Sequence, residues 1–84
     1  MRTDTQLFKI LKFLYKSRDK KVTSKEISEA TGSKQILPFI KRLSNHVSKT
    51  KIDGKAYYWI NPSCWEYVRK TIERSENENA QRMG

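Results

Sequence analysis

The side chains in this sequence that could do chemistry are mostly cationic. Lys and Arg number eighteen against nine Asp and Glu, which gives a formal net charge of +9. Such an excess favours a polyanionic partner, which could be DNA, RNA or an anionic membrane surface. Residues 1–22 carry seven basic and two acidic side chains, residues 33–55 carry six and one, and residues 56–84 carry four of each. The basic residues of 33–55 are therefore the main candidates for a binding surface, although any single lysine could simply be solvated.

Few residues suit covalent catalysis. The sequence has one cysteine, Cys64, and one histidine, His46, and no spacing in it indicates a nucleophile paired with a base. There is no glycine-rich phosphate-binding loop. A single cysteine excludes an intramolecular disulfide, and together with one histidine it cannot complete a four-ligand zinc site. We therefore expect no enzymatic activity, no metal and no cofactor.

The length of 84 residues predicts one small domain. No apolar run approaches the roughly 18 residues needed to span a bilayer, and the N-terminus lacks the apolar core of a signal peptide. We expect an intracellular, cytoplasmic protein with no membrane partner. The domain should occupy residues 1–74, and residues 75–84 should be disordered because they contain almost no apolar side chains.

A first amphipathic helix is predicted over residues 4–17, with Thr3 and Gln6 as a capping box. Its apolar positions follow the i, i+3, i+4, i+7 spacing of a helix face, namely Leu7, Ile10, Leu11 and Leu14. Phe8 and Tyr15 widen that stripe beyond what one small domain readily covers. Two interpretations stay open, a wide core stripe and a homodimer interface.

A second helix is predicted over residues 24–30. Thr23 and Glu26 have the spacing of a capping box at its start. Gly32 follows its end and tolerates the positive φ that a tight turn between two helices requires. The sequence thus predicts a helix, a tight turn and the beginning of another helix.

A third helix is predicted from residue 34 or 35 to residue 46. Pro38 requires a late start or a distorted first turn, because proline is tolerated only at the beginning of a helix. The buried stripe should comprise Ile36, Phe39, Ile40 and Leu43, and the outward face Lys34, Gln35, Pro38, Lys41, Arg42 and Asn45, with Ser33 just before it. Such basic and amide side chains match base edges, and lysines also neutralise phosphates. The outward face is therefore a candidate for the major groove of DNA, and a solvated face without a partner is the alternative.

Two strands are predicted over residues 47–52 and 55–60, joined by Asp53 and Gly54 in a two-residue turn. The register directs Val47, Tyr58 and Ile60 toward the core. The basic residues of the hairpin are Lys49, Lys51 and Lys55, of which the last two lie near the tip. They could contact the phosphate backbone or enter a minor groove.

The other face of this hairpin carries Tyr57 and Trp59, which either pack against a neighbouring helix or stack on bases. A final helix should begin with a capping box of Ser63 and Glu66 and end near Arg74. Its apolar stripe comprises Trp65, Val68 and Ile72.

The order of these elements resembles a winged helix-turn-helix domain, an α+β and mainly helical fold. The segment VTSKEISEATGSKQILPFIKRL over residues 22–43 is similar to the helix-turn-helix of winged-helix transcription regulators. The segment KIDGKAYYWI over residues 51–60 is similar to the wing of repressors of the arsenic-sensor and multiple-antibiotic-resistance types. The small size resembles compact winged-helix proteins of archaea, their plasmids and their viruses. The cysteine pairs of arsenic sensors are absent, so no metal-sensing role follows.

The resemblance implies that helix 3 enters the major groove, that the wing contacts the backbone or minor groove, and that the terminal helices pair two subunits on a palindromic site. The expected function is sequence-specific binding of double-stranded DNA by a homodimeric transcription regulator, associated with nucleoid or host-cell DNA. The expected dimer interface comprises Phe8, Tyr15, Trp65 and Ile72. A protein-interaction module is one alternative, and a non-specific architectural protein that binds DNA or RNA is another.

Overall fold

The fold combines four α-helices with a three-stranded antiparallel sheet over the residues that a computed structural model describes, which are residues 5–83 with side chains up to Glu78. The helices are α1 (Gln6–Lys16), α2 (Ser24–Thr31), α3 (Leu37–Arg42) and α4 (Trp65–Met83). The strands are β1 (Val22–Thr23), β2 (Val47–Ile52) and β3 (Lys55–Ile60), in the spatial order β1-β3-β2. The predicted α+β, mainly helical class is confirmed.

Helix α1 begins after Thr5, whose hydroxyl accepts a hydrogen bond from the backbone N–H of Phe8 at 3.2 Å. The predicted cap at Thr3 lies outside the described residues. The apolar stripe is confirmed, since Ile10, Leu11 and Leu14 are buried. The side chain at position 8 is buried with them, so the widened stripe belongs to the core of the domain.

Helix α2 has the predicted start and end. Thr23 and Glu26 form the reciprocal capping box, and Gly32 ends the helix with a φ of 72°. The short strand β1 was not predicted. It pairs Val22 with Tyr58 and Thr23 with Tyr57 of β3, and a strand of two residues is too short to leave a periodic pattern in the sequence.

Helix α3 is shorter than predicted. It spans Leu37–Arg42 rather than residue 34 or 35 to residue 46, because Pro38 is tolerated only in the first turn and so fixes the start nearby. After Arg42 the chain continues in tight turns, in which the N–H of His46 donates to the carbonyl of Leu43 at 2.9 Å. The predicted buried stripe is confirmed, with Ile36, Ile40 and Leu43 buried and Phe39 partly buried.

The hairpin has the predicted register, including the pairs Val47 with Ile60 and Lys49 with Tyr58. Asp53 and Gly54 have φ values of 51° and 80°, the left-handed conformation that a type I′ turn requires at both central residues. The side chains predicted to face the core, Val47, Tyr58 and Ile60, are all buried.

The end of the chain differs from the prediction. A 3₁₀ turn over Pro62–Cys64 precedes α4, and the predicted capping box does not form, since Glu66 instead binds Arg69 at 2.6 Å. Helix α4 continues to Met83, through most of the segment expected to be disordered. In this extension Ser75 is buried, and Glu76 forms an ion pair with Lys12 of α1 at 3.1 Å.

Candidate nucleic-acid interface

The outward face of α3 is basic. Pro38, Lys41 and Arg42 are exposed on it, while Ile40 on the opposite side is buried. Leu37 is also 57% exposed. The structure therefore places three predicted contact residues on one surface, together with an exposed apolar side chain at its start.

Lys34 and Gln35 lie in the loop before α3 rather than on the helix, and both are exposed. They line an open groove of about 590 Å³ between this loop and α2, whose other lining residues are Ser24, Lys25, Ser28, Ile36, Leu37 and Pro38. The groove brings two lysines, at positions 25 and 34, to the edge of the α3 surface. Lys34 and Gln35 lie in a loop, so their side chains are held less rigidly than those of residues on helix α3.

The expectation that Ser33 contacts DNA is wrong. Its side chain is only 7% exposed, its hydroxyl donates to the carbonyl of Gln35 at 3.2 Å, and its own carbonyl accepts a hydrogen bond from Ser28. These bonds hold the turn between α2 and α3. Asn45, by contrast, is exposed in the turns that follow α3.

The lysines of the hairpin are exposed but do not share a face. Strand side chains alternate between the two faces of a sheet, so Lys49 and Lys51 point to the same side as buried Val47. Lys55 pairs with Ile52 at the tip and points to the other side. The predicted position of Lys51 and Lys55 near the tip is confirmed.

The cations of this region are unpaired, whereas those of α4 are held in ion pairs. Within residues 5–78 no carboxylate forms an ion pair with Lys34, Lys41, Arg42, Lys49, Lys51 or Lys55. On α4, Arg69 binds Glu66 at 2.6 Å and Glu73 at 3.1 Å. Hydrogen bonds that the guanidinium donates to Glu66 and Glu73 raise the pKa of Arg69 above its ordinary value. Among the described residues, six cations without an ion pair therefore lie on α3, the loop before it and the hairpin, in addition to exposed lysines on α1 and in the loop after it.

The residues expected at a dimer interface lie within the monomer instead. Phe8 and Ile72 are 3% and 6% exposed in the core. The indole N–H of Trp65 donates to the carbonyl of Ile60 at 3.0 Å. The ring of Tyr15 lies 4.3 Å from the guanidinium of Arg18. Within the monomer these four side chains thus form the core or pack against it.

Residues 46 and 64 form a contact that sequence spacing could not reveal. His46 Nδ1 lies 3.4 Å from Cys64 Sγ, and the imidazole ring is 4.9 Å from the ring of Tyr67. Strands β2 and β3 are antiparallel, so the residues just before and just after the hairpin lie close together. This arrangement brings the imidazole of His46 and the thiol of Cys64 into contact although they are 18 positions apart in the sequence. A nitrogen base and a thiol at this distance can exchange a proton, which the sequence alone did not indicate.

A second contact missed by the sequence lies on the sheet face that carries Tyr57 and Trp59. The ammonium of Lys21 lies 5.0 Å from the centre of the Trp59 ring. Lys21 precedes β1, and the unpredicted pairing of β1 with β3 is what brings it there. The aromatic face of the hairpin is thus adjacent to a cation.

Comparison with known proteins gives no match to a family model, a curated protein or a solved structure. In the described part of the chain, no helix has both the length and the apolar character needed to cross a membrane. Among those same residues, no three His, Cys, Asp or Glu side chains are grouped so that they could hold a metal ion.

Proposed function

We propose that this chain is a sequence-specific double-stranded DNA-binding protein and a transcription regulator, built as a winged helix-turn-helix domain. The element order α1, β1, α2, α3, β2, β3, α4 and the strand order β1-β3-β2 support this assignment. In it, α3 is the recognition helix and the hairpin is the wing. The observation that carries the proposal is the presence, within the part of the chain that the structure describes, of six exposed cations without an ion pair on α3, the loop before it and the wing.

The dimensions of α3 suit an approach to the major groove by its outward face. A helix with its side chains is about 10–12 Å across, and the major groove is about 12 Å wide, so it can admit α3. Pro38, Lys41 and Arg42 are spaced three and four residues apart, so they lie on one side of the helix. Arg42 and Lys41 can donate to guanine or phosphate, and Pro38 can contact a thymine methyl.

The residues around α3 would extend this contact. Gln35 can form paired hydrogen bonds with adenine, and Lys34 beside it can reach a phosphate. Asn45 lies at the other end of α3 and carries an amide of the same kind. Lys49 and Lys51, on one face of the wing, would follow the backbone of the duplex, where they add affinity for any sequence.

Homodimerisation remains part of the proposal, through a surface other than Phe8 and Ile72, which are buried in the monomer. A dimer on a palindromic site would show itself as an inverted repeat in the selected DNA.

The first test is selection of bound duplexes from a random DNA pool at physiological salt, with the mass of the protein measured in solution. We expect an enriched motif, and an inverted repeat if the protein is a dimer. Lys41→Ala and Arg42→Ala should each weaken binding to that motif by about 1–3 kcal/mol. Their melting temperatures should stay near that of the wild type, because both side chains are exposed.

Lys70→Ala is the matched control, since it removes one exposed positive charge from α4 and leaves the proposed interface intact. Lys49→Ala and Lys51→Ala should weaken all sequences about equally. Unchanged affinity in the α3 and wing variants would refute the assigned surface. Salt-sensitive binding without an enriched motif would indicate an architectural protein or an RNA partner, and no binding at all would favour a protein-interaction module.

A further inference from the structure

The sheet has a second face that the proposed duplex interface does not use. Because side chains alternate along a strand, Tyr57 and Trp59 point away from the core face on which Tyr58 and Ile60 are buried. Both aromatic residues lie on β3, the central strand. They are two positions apart, which separates them by about 6.6 Å along the strand.

The two rings are partly exposed and do not belong to the core. Neither Tyr57 nor Trp59 is among the side chains that form the core or pack against it. Their partners across the sheet are small, since Trp59 pairs with Ser48, and Tyr57 pairs with Thr50 on one side and Thr23 on the other. Two neighbouring aromatic rings thus stand on a surface of hydroxyl side chains.

Cations flank these rings. Lys21 lies 5.0 Å from the centre of the Trp59 ring. Lys55 is exposed two residues before Tyr57 on the same strand, and so on the same face. Ile52, paired with Lys55, is 46% exposed and adds an apolar side chain at the tip. Lys55 thus lies beside Tyr57 toward the tip, and Lys21, just before the neighbouring strand β1, lies over the ring of Trp59.

We propose that this face binds single-stranded nucleic acid, with unpaired bases stacked on Trp59 and Tyr57 and with Lys21 and Lys55 on the adjacent phosphates. Aromatic side chains stack on bases of any type, and cationic neighbours bind the backbone that connects those bases. The flanking lysines and the net charge of +9 favour a polyanion over a second copy of this chain. The proposal does not depend on the duplex interface, because it uses the opposite face of the hairpin.

The two tryptophans of the sequence make a direct measurement possible. Trp65→Phe leaves Trp59 as the only indole, and circular dichroism and thermal melting verify that this variant folds. It is titrated with a 12-nucleotide oligothymidylate and, separately, with oligouridylate. Saturable quenching of the Trp59 emission is expected, because a stacked base contacts the indole directly. The two oligonucleotides distinguish a DNA strand from an RNA strand as the source of the bases.

Substitutions in the otherwise unchanged chain measure the contribution of each ring. Trp59→Ala and Tyr57→Thr should each weaken binding of a labelled oligothymidylate by about fivefold or more, while Trp59→Phe, which retains a ring, should keep most of the affinity. Tyr57→Thr places a strand-forming residue in the centre of the sheet, so it provides a test if Trp59→Ala fails to fold. An affinity within twofold of the wild type for Tyr57→Thr, or for a folded Trp59→Ala, would overturn the proposal, and so would saturation without a change in Trp59 emission.

Lys41→Ala and Arg42→Ala distinguish single-strand binding on the sheet from duplex binding on α3. They lie on α3, so they should leave the affinity for oligothymidylate unchanged while they weaken binding to duplex DNA. A loss of single-strand binding in these variants, equal to the loss of duplex binding, would place both ligands on α3 and would contradict a separate aromatic site.

Discussion

Gly32 sets the angle between α2 and α3 through its own backbone. Its φ of 72° lies in the left-handed region, and its N–H donates to the carbonyl of Ser28 at 2.9 Å. A Cβ built at this position would meet nothing within 4 Å. Any cost of a side chain there must therefore come from the backbone conformation and not from a clash. The proposed recognition helix depends on this residue for its placement.

Gly32→Ala should lower the free energy of unfolding by about 1–2 kcal/mol, because an L-residue pays that amount to occupy the left-handed conformation. Gly32→Asn should lose less, since the short polar side chain of asparagine tolerates this region. Urea unfolding followed by circular dichroism measures both variants. Equal losses in the two would show that the added side chain clashes and that the backbone conformation is not the cause.

At the scale of the elements, what the sequence could predict depends on whether local residues determine the structure. The hairpin register follows from Asp53 and Gly54, and the start of α2 follows from the capping box at Thr23, so both were predicted. The length of α3 was not predicted. Pro38 limits where the helix can start, but the tight turns that end it are not specified by any residue type. The extension of α4 depends on a contact with Lys12, which is 64 positions away from its partner.

The candidate site divides in the same way. Lys41 and Arg42 were placed correctly because helical periodicity alone puts them opposite the buried stripe of α3. The burial of Ser33 was missed because it follows from hydrogen bonds with residues of the turn. The approach of Lys21 to Trp59 was missed because it requires strand β1, which tertiary pairing alone creates.

A substitution of Ile72 on α4 tests whether this side chain belongs to the core of the monomer or to a dimer interface. Ile72 is 6% exposed in the monomer, so Ile72→Ala should destabilise the fold by about 2–5 kcal/mol. The loss should not depend on protein concentration. Tyr67→Ala on the same helix is the control, and since that side chain is 60% exposed, it should change stability by less than about 0.5 kcal/mol.

Thermal melts at protein concentrations that differ a hundredfold measure both variants. If the melting temperature of Ile72→Ala rose toward the wild-type value with increasing protein concentration, Ile72 would lie at a subunit interface. A large loss in Tyr67→Ala would instead show that Tyr67 contributes to the fold through its ring contact with His46.

At the scale of the whole molecule, the wing separates two surfaces. Lys49 and Lys51 point to the same face as buried Val47, whereas Lys55 and the two aromatic rings point to the other face. The charges of α4 are largely satisfied by Glu66 and Glu73, so that helix contributes little positive field. One hairpin could therefore hold a duplex on one side and an unpaired strand on the other, as a protein acting at a locally opened duplex would require.

Salt dependence can assign each lysine to one of these ligands. Each phosphate contact on duplex DNA contributes about 0.9 to the slope of log affinity against log salt concentration. The double variant Lys49→Ala with Lys51→Ala should reduce the duplex slope by about two and leave the slope for oligothymidylate unchanged, and Lys55→Ala should reduce the oligothymidylate slope by about 0.7. Lys70→Ala should alter neither slope. If the double variant reduced the slopes for duplex DNA and for oligothymidylate equally, Lys49 and Lys51 would contact the phosphates of both ligands. The two faces of the wing would then not bind separate ligands.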